Sequence, residues 1–273
     1  MSANNRVYYL ELNKDNFEKN NVINVNLSDY DEYIIKVDNN VNCRLVEFVD
    51  IKNDINVNKK IILGKDAKLE IVTIEVVKGI NNVINVENIL DSNSYIINKK
   101  ISLFEGTYDS FVSSNLNGEN AKIETTNVLI NSYGKVVNTS EVVNHNACDT
   151  ISKLYNYGIC KNVSTININT NGYVVKDAKR SNLRQKSKGI LLDEASSISA
   201  NPWLQIDEFD CLASHGAGIG AIDEEDLYYL MSRGLTKSES EKLIINGFVD
   251  PVYASLDDED IKNKVIGLVK KFL

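Results

Sequence analysis

Few residues in this chain can offer a metal an imidazole nitrogen or a thiolate sulfur. It has two histidines, His145 and His215, and four cysteines, Cys43, Cys148, Cys160 and Cys211. A thiolate and a neutral imidazole are soft and borderline ligands suited to iron or zinc. Cys211 and His215 share the parity of an extended strand and so face one side, yet four residues of strand separate them by about 13 Å. Two ligands of one ion must come within about 4 Å of each other. The pair therefore cannot chelate unless a bulge folds the strand back, and each is a candidate to donate a single metal ligand to a site completed across a dimer interface. His145 and Cys148 stand three apart and converge if the segment turns, which Asn146 and Asp149 permit. With no second pair nearby, they are the weaker metal candidates. The absence of C-x-x-C and of any tight cluster predicts no zinc module and no disulfide framework, but four reduced, mostly buried thiols.

The stretch SHGAGIGAIDEEDLYYLMSRGL, Ser214 to Leu235, spaces Gly216, Gly218 and Ala221 as G-x-G-x-x-A, the pattern of a dinucleotide turn. A pyrophosphate needs the next helix to open free of negative charge. Asp223, Glu224, Glu225 and Asp226 fill that turn and would repel it. The remaining chain is also too short for the other strands and helices of such a fold. No phosphate loop, nucleophile elbow or H-E-x-x-H helix is present. No nucleotide is expected to bind directly, and any ATP hydrolysis falls to a partner.

The 273 residues, 43% hydrophobic and 25% charged, suffice for a sizeable core. A net charge of -8 offers no basic footprint for nucleic acid. No apolar run approaches the roughly 18 residues of a membrane span, and the start MSANNRVYYLELNKDNF lacks a signal-peptide core. The expected location is the cytoplasm, with no membrane partner.

From about Tyr30 to His215 the chain is rich in Val, Ile, Asn and Thr with period-two alternation, which favours strands. NNVINVN from Asn20, NDINVN from Asn53, NNVINVEN from Asn81 and STININTN from Ser164 repeat one phrase at irregular spacing, a hint of stacked β coils. A right-handed β-helix or a large sandwich both fit, with Asn at turns or in ladders. Residues 1–29 read as a short N-terminal segment, 30–221 as the β core and 222–273 as a helical subdomain. In that tail Leu227, Leu230 and Met231 share a face and Gly234 is a left-handed stop that Leu235 covers. Thr236 to Glu239 is a capping box, and Gly247 repeats the stop, with Leu243 meeting Phe248 across it. Asp257 caps a third helix whose stripe, Ile261, Val265, Leu268, Val269 and Phe272, must bury against the other helices, the β core or a partner.

The segments VVNHNACDTISKLYNYGI, Val142 to Ile159, and KGILLDEASSISANPWLQIDEFDCLASHGAGIGAIDEEDLYYLMSRGLTKSESEKLIINGF, Lys188 to Phe248, resemble the SufB/SufD family of iron-sulfur cluster assembly proteins, in a short form closest to SufD. The resemblance implies a mainly β fold: a right-handed parallel β-helix core with a C-terminal α-helical subdomain. It implies a non-catalytic scaffold in a complex with SufC, an ABC-type ATPase engaged by the helices, here through Glu224, Leu227, Tyr228, Met231, Arg233 and Gly234. The opening glycines then read as a chain reversal from the last coil into the first helix. It further implies a transient iron-sulfur cluster at a subunit interface, His215 as its candidate ligand, and a SufB-like partner or a second copy.

Departures from the pattern bear on the role. Ala213-Ser214-His215 replaces Cys-Ser-His, with a cysteine displaced to Cys211; the upstream cysteine of SufB-type scaffolds falls near Ser196. The block around His145 lacks the second His and the Pro of many relatives. A minimal homodimer that assembles the cluster with SufC alone is the rival within the family. A carbohydrate-active or carbohydrate-binding β-helix is the rival from another class, although no paired carboxylates mark an acid and base.

Overall fold

The structure is a computed structural model and describes residues 6–15 and 21–273. The start of the expected N-terminal segment and Asn20 of the first Asn-rich phrase lie outside the described residues. The strands are β1 (Val7–Leu12), β2 (Asn21–Asn26), β3 (Glu32–Val37), β4 (Asn42–Ile51), β5 (Ile55–Leu63), β6 (Lys68–Val77), β7 (Asn82–Leu90) and β8 (Tyr95–Phe104). They continue with β9 (Tyr108–Leu116), β10 (Lys122–Asn131), β11 (Val136–His145), β12 (Ile151–Cys160), β13 (Thr165–Val174), β14 (Ser181–Leu191), β15 (Ser197–Ile206) and β16 (Cys211–Ala221). Odd strands form one eight-stranded parallel sheet and even strands the other. Each coil gives one strand to each sheet, so the chain is a parallel β-solenoid around a lumen, as the alternation and the resemblance anticipated; the sandwich alternative falls. The strands begin at Val7, earlier than the alternating pattern suggested: β1 pairs with β3 and β2 with β4, so part of 1–29 belongs to the sheets.

The Asn-rich phrases sit where stacking rewards them. On the outer face of the odd-strand sheet, Asn138 Nδ2 donates to Asp109 Oδ1 at 2.7 Å and Asn167 Nδ2 to Asn138 Oδ1 at 2.8 Å. Asn85 reaches Asn58 and Asn201 reaches Asn169 in the same way. At one corner Asn40, Asp66, Asn93, Asn120 and Asp149 take φ between 57° and 61°, the left-handed region that Asn and Asp tolerate best among non-glycine residues. Each donates its backbone N–H to a carbonyl one coil on, as Asn93 does to Glu119 at 2.9 Å. The phrase at Asn21–Asn26 differs, for it lies in the even-strand sheet.

The two sheets bury different things outside. The outer face of β4, β6, β8 and β10 carries apolar residues, as parallel strands covered on both sides do. Val46, Val72, Ile74, Ile101, Leu103, Val128 and Ile130 point outward yet are buried. Past α1 (Glu224–Ser232), their cover is the rest of the tail, α2 (Lys237–Tyr253) and α3 (Glu259–Phe272). Val249 and Val252 of α2 and Val265, Val269 and Phe272 of α3 pack on that face. The α3 stripe is therefore spent on the protein's own sheet. Polar clamps fix the tail along the solenoid: Arg44 to Asp257 and the Ser255 carbonyl, Lys99 to Ser255, Ser132 to the Phe272 carbonyl, and Lys161 to the Leu273 carbonyl at 2.8 Å.

Local signals in the tail fared unevenly. Gly234, at φ 97°, ends α1 in a Schellman arrangement, with Leu235 N–H on the Leu230 carbonyl and Gly234 N–H on that of Met231. Thr236 and Glu239 close the expected capping box. Gly247, however, is not a stop: α2 runs through it to Tyr253. Burial of Val249, Val252 and Tyr253 outweighs the roughly 1 kcal/mol that a glycine costs. Pro251 inside α2 removes the donor that would reach the Gly247 carbonyl. The cap of α3 is Asp258, one residue later than expected, because Asp257 is engaged by Arg44.

His145 fills a lumen column otherwise built from Val37, Leu63, Leu90, Leu116 and Val174. It is fully buried, with Nδ1 2.8 Å from Thr150 Oγ1 and Nε2 2.8 Å from Ser152 Oγ. Burial pushes its pKa down to about 4.

Two outcomes follow. Val269→Ala should lower unfolding stability by about 2 kcal/mol and raise binding of a hydrophobic dye, since it thins the seam between α3 and the sheet. Because the folded chain keeps the His145 ring neutral while the unfolded chain protonates near 6.5, its contribution is complete above pH 6.5 and lost as pH falls toward 4. Urea titrations at pH 7 and 5 should show His145→Gln gaining about 2 kcal/mol relative to the native chain over that interval; equal slopes would contradict it.

Candidate functional site

The last coil is where the lumen opens. Among the described residues β15 pairs only with β13 and β16 only with β14. Ala213, His215, Ala217 and Ile219 continue the inward columns of Leu183, Gln185, Ser187 and Gly189, but no further coil covers them. All four are exposed for that reason. His215 thus stands at the mouth of the solenoid beside buried Gln185, and its imidazole makes no hydrogen bond among the described residues. Trp203, Phe209 and Leu212 expose 69%, 104% and 66% of their surface around the same end, an apolar rim rather than a finished surface.

The glycines of this region are not a turn. Gly216 and Gly218 lie within β16, neither has a positive φ, and a Cβ at either would meet nothing within 4 Å. The expected chain reversal is overturned: the strand continues to Ala221, and its outward positions, Gly216, Gly218 and Gly220, leave bare backbone. The acidic residues after it do cap a helix. Asp223 Oδ1 accepts from Glu225 N–H at 2.8 Å, with Glu224, Glu225 and Asp226 in the first turn.

Cys211 opens the same strand, and the unbroken register of β14 with β16 leaves no bulge to bring it to His215. Its thiol donates to the Glu208 carbonyl at 3.2 Å, and partial burial, with Glu208 and Asp210 nearby, holds its pKa up. That disfavours the thiolate a metal needs. Cys148 sits in the corner after β11, its thiol directed at the Asp177 carbonyl at 3.3 Å. With both His145 nitrogens engaged, the His145 and Cys148 pair offers no open imidazole. Ser196 is buried and donates to Asp193. Cys43 and Cys160 are buried, with pKa pushed up to about 12 by burial. All four thiols are free, and among the described residues no three His, Cys, Asp or Glu side chains gather to hold a metal ion.

Two residues after β16, α1 begins with no buried residue. Tyr228, Tyr229 and Met231 expose 75%, 56% and 45% of their surface, and Arg233 stacks on Tyr229 at 5.3 Å. Glu224 and Leu227 turn toward a cleft of about 1230 Å³ between the three helices, rimmed by Lys161, Lys237, Lys242 and Lys270. The face of α1 that carries Tyr228 and Met231 is uncovered among the described residues. No helix of the described residues is long and apolar enough to cross a membrane.

Sequence reasoning missed the charged residues inside the lumen. Glu47 and Glu75 sit within the apolar runs LVEFV and IVTIEVV, where each reads as one more solvated alternate position. Only a coil period, which the register sets at 24 to 32 residues, would have aligned them with their partners.

Comparison with known proteins agrees with this architecture. Residues 21–248 match the family described as SUF system FeS cluster assembly, SufBD core domain. The chain is 31% identical over 159 residues to the iron-sulfur cluster assembly protein SufD of Bacillus subtilis, covering 58% of this chain and 36% of that protein. It is 26% identical over 157 residues to SufD of Escherichia coli, covering 58% and 37%. An iron-sulfur cluster assembly SufBD family protein of Staphylococcus epidermidis is 26% identical over 206 residues, covering 73% and 43%. The chain thus spans well under half the length of these relatives. With the matched region running from β2 through the solenoid into α2, the chain belongs to the SufBD core family of the SUF iron-sulfur cluster assembly system.

Proposed function

We propose that this chain is a SufD-type scaffold subunit: it pairs through its open last coil with a SufB-like chain, binds the SufC ATPase through α1, and carries no catalytic residue of its own. The observation that carries this reading is the unfinished end of the solenoid. Two neighbouring edge strands with unpaired backbone groups are a liability unless another chain covers them, and an apolar rim around them suits a protein interface. Pairing there would bring the partner's residues to His215, whose free imidazole is a competent iron ligand. The cluster is cargo, and His215 donates one of its ligands from this side. Cys211, with its thiol kept protonated, is the lesser candidate. Self-pairing through the same end is the alternative arrangement.

The partner surface for SufC rests on a separate observation, the exposed face of α1. Tyr228, Met231 and Arg233 supply apolar area and charge there, while Glu224 and Leu227 border the cleft and Gly234 sets where the helix stops. ATP-driven movement of that helix would reach β16 through two residues. Deleting the whole tail is a poor test of this role, because α2 and α3 cover buried sheet residues such as Ile101 and Val128.

The combined variant Tyr228→Ala with Met231→Ala should retain the native melting temperature and lose co-purification with SufC at least tenfold; retained binding would count against α1 as the docking element. His215→Ala should leave complex mass and ATP hydrolysis unchanged but lower the cluster content obtained by anaerobic reconstitution with iron and sulfide. Undiminished cluster yield would remove His215 from the site. The mass of the complex with SufC, measured with and without the SufB-like chain, distinguishes hetero-pairing from self-pairing.

A further inference from the structure

The lumen has a polar file running through its apolar core. Inward positions of the even-strand sheet read Glu47, Thr73, Lys100, Asn127, Asn156 and Ser187, each in register with the next. Across from them stand Tyr33, Lys59, Glu141 and Thr170 in one column with Val86 and Val112. Charges are taken out of water here only where something compensates them. Glu47 is 2.7 Å from Lys59 and accepts from Thr73 Oγ1 at 2.9 Å and from Tyr33. Glu75 is 2.8 Å from Lys100, which also donates to Tyr108 at 3.0 Å.

Glu141 lacks such a partner. It is 6% exposed, forms no ion pair among the described residues, and accepts one long hydrogen bond, from Asn127 Nδ2 at 3.5 Å. Three carboxyl groups therefore face two ammonium groups, and Glu141 is the one without a cationic partner.

A narrow cavity of about 80 Å³ runs along this file, with Lys100, Thr125, Asn127, Glu141 and Thr170 on its wall. A water needs about 10–15 Å³ of such space, so the cavity admits several small species. The side-chain oxygen of Asn88, 5% exposed on this wall, has no hydrogen-bond partner among the described residues, and the Thr125 hydroxyl, 2% exposed, has none but the Glu141 carboxyl that it approaches. Buried acceptors left open in this way call for a ligand.

We propose that the lumen at Glu141 binds one monovalent cation of the potassium or ammonium class, held by the Glu141 carboxylate and the Thr125 hydroxyl with the neighbouring amide and hydroxyl oxygens. One carboxylate with neutral oxygens matches a singly charged ion; magnesium and calcium call for more charge and stricter or larger oxygen shells, and softer metals for sulfur or imidazole. Where the carboxyl is ionised, the ion completes the charge balance within the lumen. Proton and cation compete for the same group. Burial pushes the Glu141 carboxyl up to about 7, with Lys100 opposing from β8 and the hydroxyl of Thr125 and the amide of Asn127 from β10; Glu75 and Tyr108 act on Lys100. Since the folded carboxyl titrates above its ordinary 4.5, its own contribution to stability is complete below pH 4.5 and lost as pH rises through 7. A bound cation restores it in that upper range.

The test uses the purified full chain alone, so it stands apart from the scaffold reading. At pH 8, protein in choline chloride is titrated with potassium, rubidium or ammonium chloride at constant ionic strength. A saturable rise in melting midpoint is expected, absent in Glu141→Gln and diminished at pH 6. Crystals soaked in rubidium should show an anomalous peak within reach of Glu141 and Thr125. No shift beyond choline, an equal shift in Glu141→Gln, or a lumen holding only water would overturn the site. Potassium without ammonium, or the reverse, identifies which ion it takes.

Discussion

Every feature of this protein depends on one constraint, the unbroken parallel register that sets each residue directly against one about a coil earlier. A coil cannot choose its interior independently. Once Glu47 enters the lumen, Thr73 above it and Lys59 across from it must answer its charge, and they do. The same rule makes the surface ladders, because an Asn over an Asn satisfies both side chains. Buried ion pairs add little net stability; their value here lies in register, since sliding one coil by a residue would turn that coil's lumen carboxylate toward solvent and its outward Asn inward.

The solenoid has two long faces and treats them differently. The even-strand face is apolar and is closed by α2 and α3. The odd-strand face is polar, laddered with Asn, and stays open. Its last coil is neither covered nor polar, and the exposure of His215 there is a matter of position: the same inward parity that buries Gln185 presents His215 to the outside. His215 is thus the free histidine, while His145, three residues from a cysteine, is locked between two hydroxyls.

Much of this was legible in the chain. Alternation from Tyr30 onward and the recurring Asn phrases point to stacked coils, and Thr236 to Glu239 and Gly234 marked caps that the helices adopt. What misled were residues whose meaning is tertiary. Gly247 and Gly216 carry the look of turns, but burial of Val249 and Val252 keeps one in a helix and pairing with Lys186 keeps the other in a strand. The α3 stripe promised a buried face without saying whose. Glu141 was invisible because nothing local distinguishes an inward glutamate from an outward one in a strand polar on both sides.

The clamps between tail and solenoid also decide where force can travel. α2 and α3 are pinned near Arg44, Lys99, Ser132 and Lys161, points spread over several coils, so a load on either is shared along the whole stiff body and moves little. α1 has no such anchorage. It hangs between the end of β16 and the short joint at Gly234, and strain imposed on it has two outlets: bending that joint, or pulling on Ala221. The second outlet ends in an edge strand held on one side only, six residues from His215. Mechanically, the protein is a rigid bar with one compliant tip, and the tip is the end that carries the free imidazole.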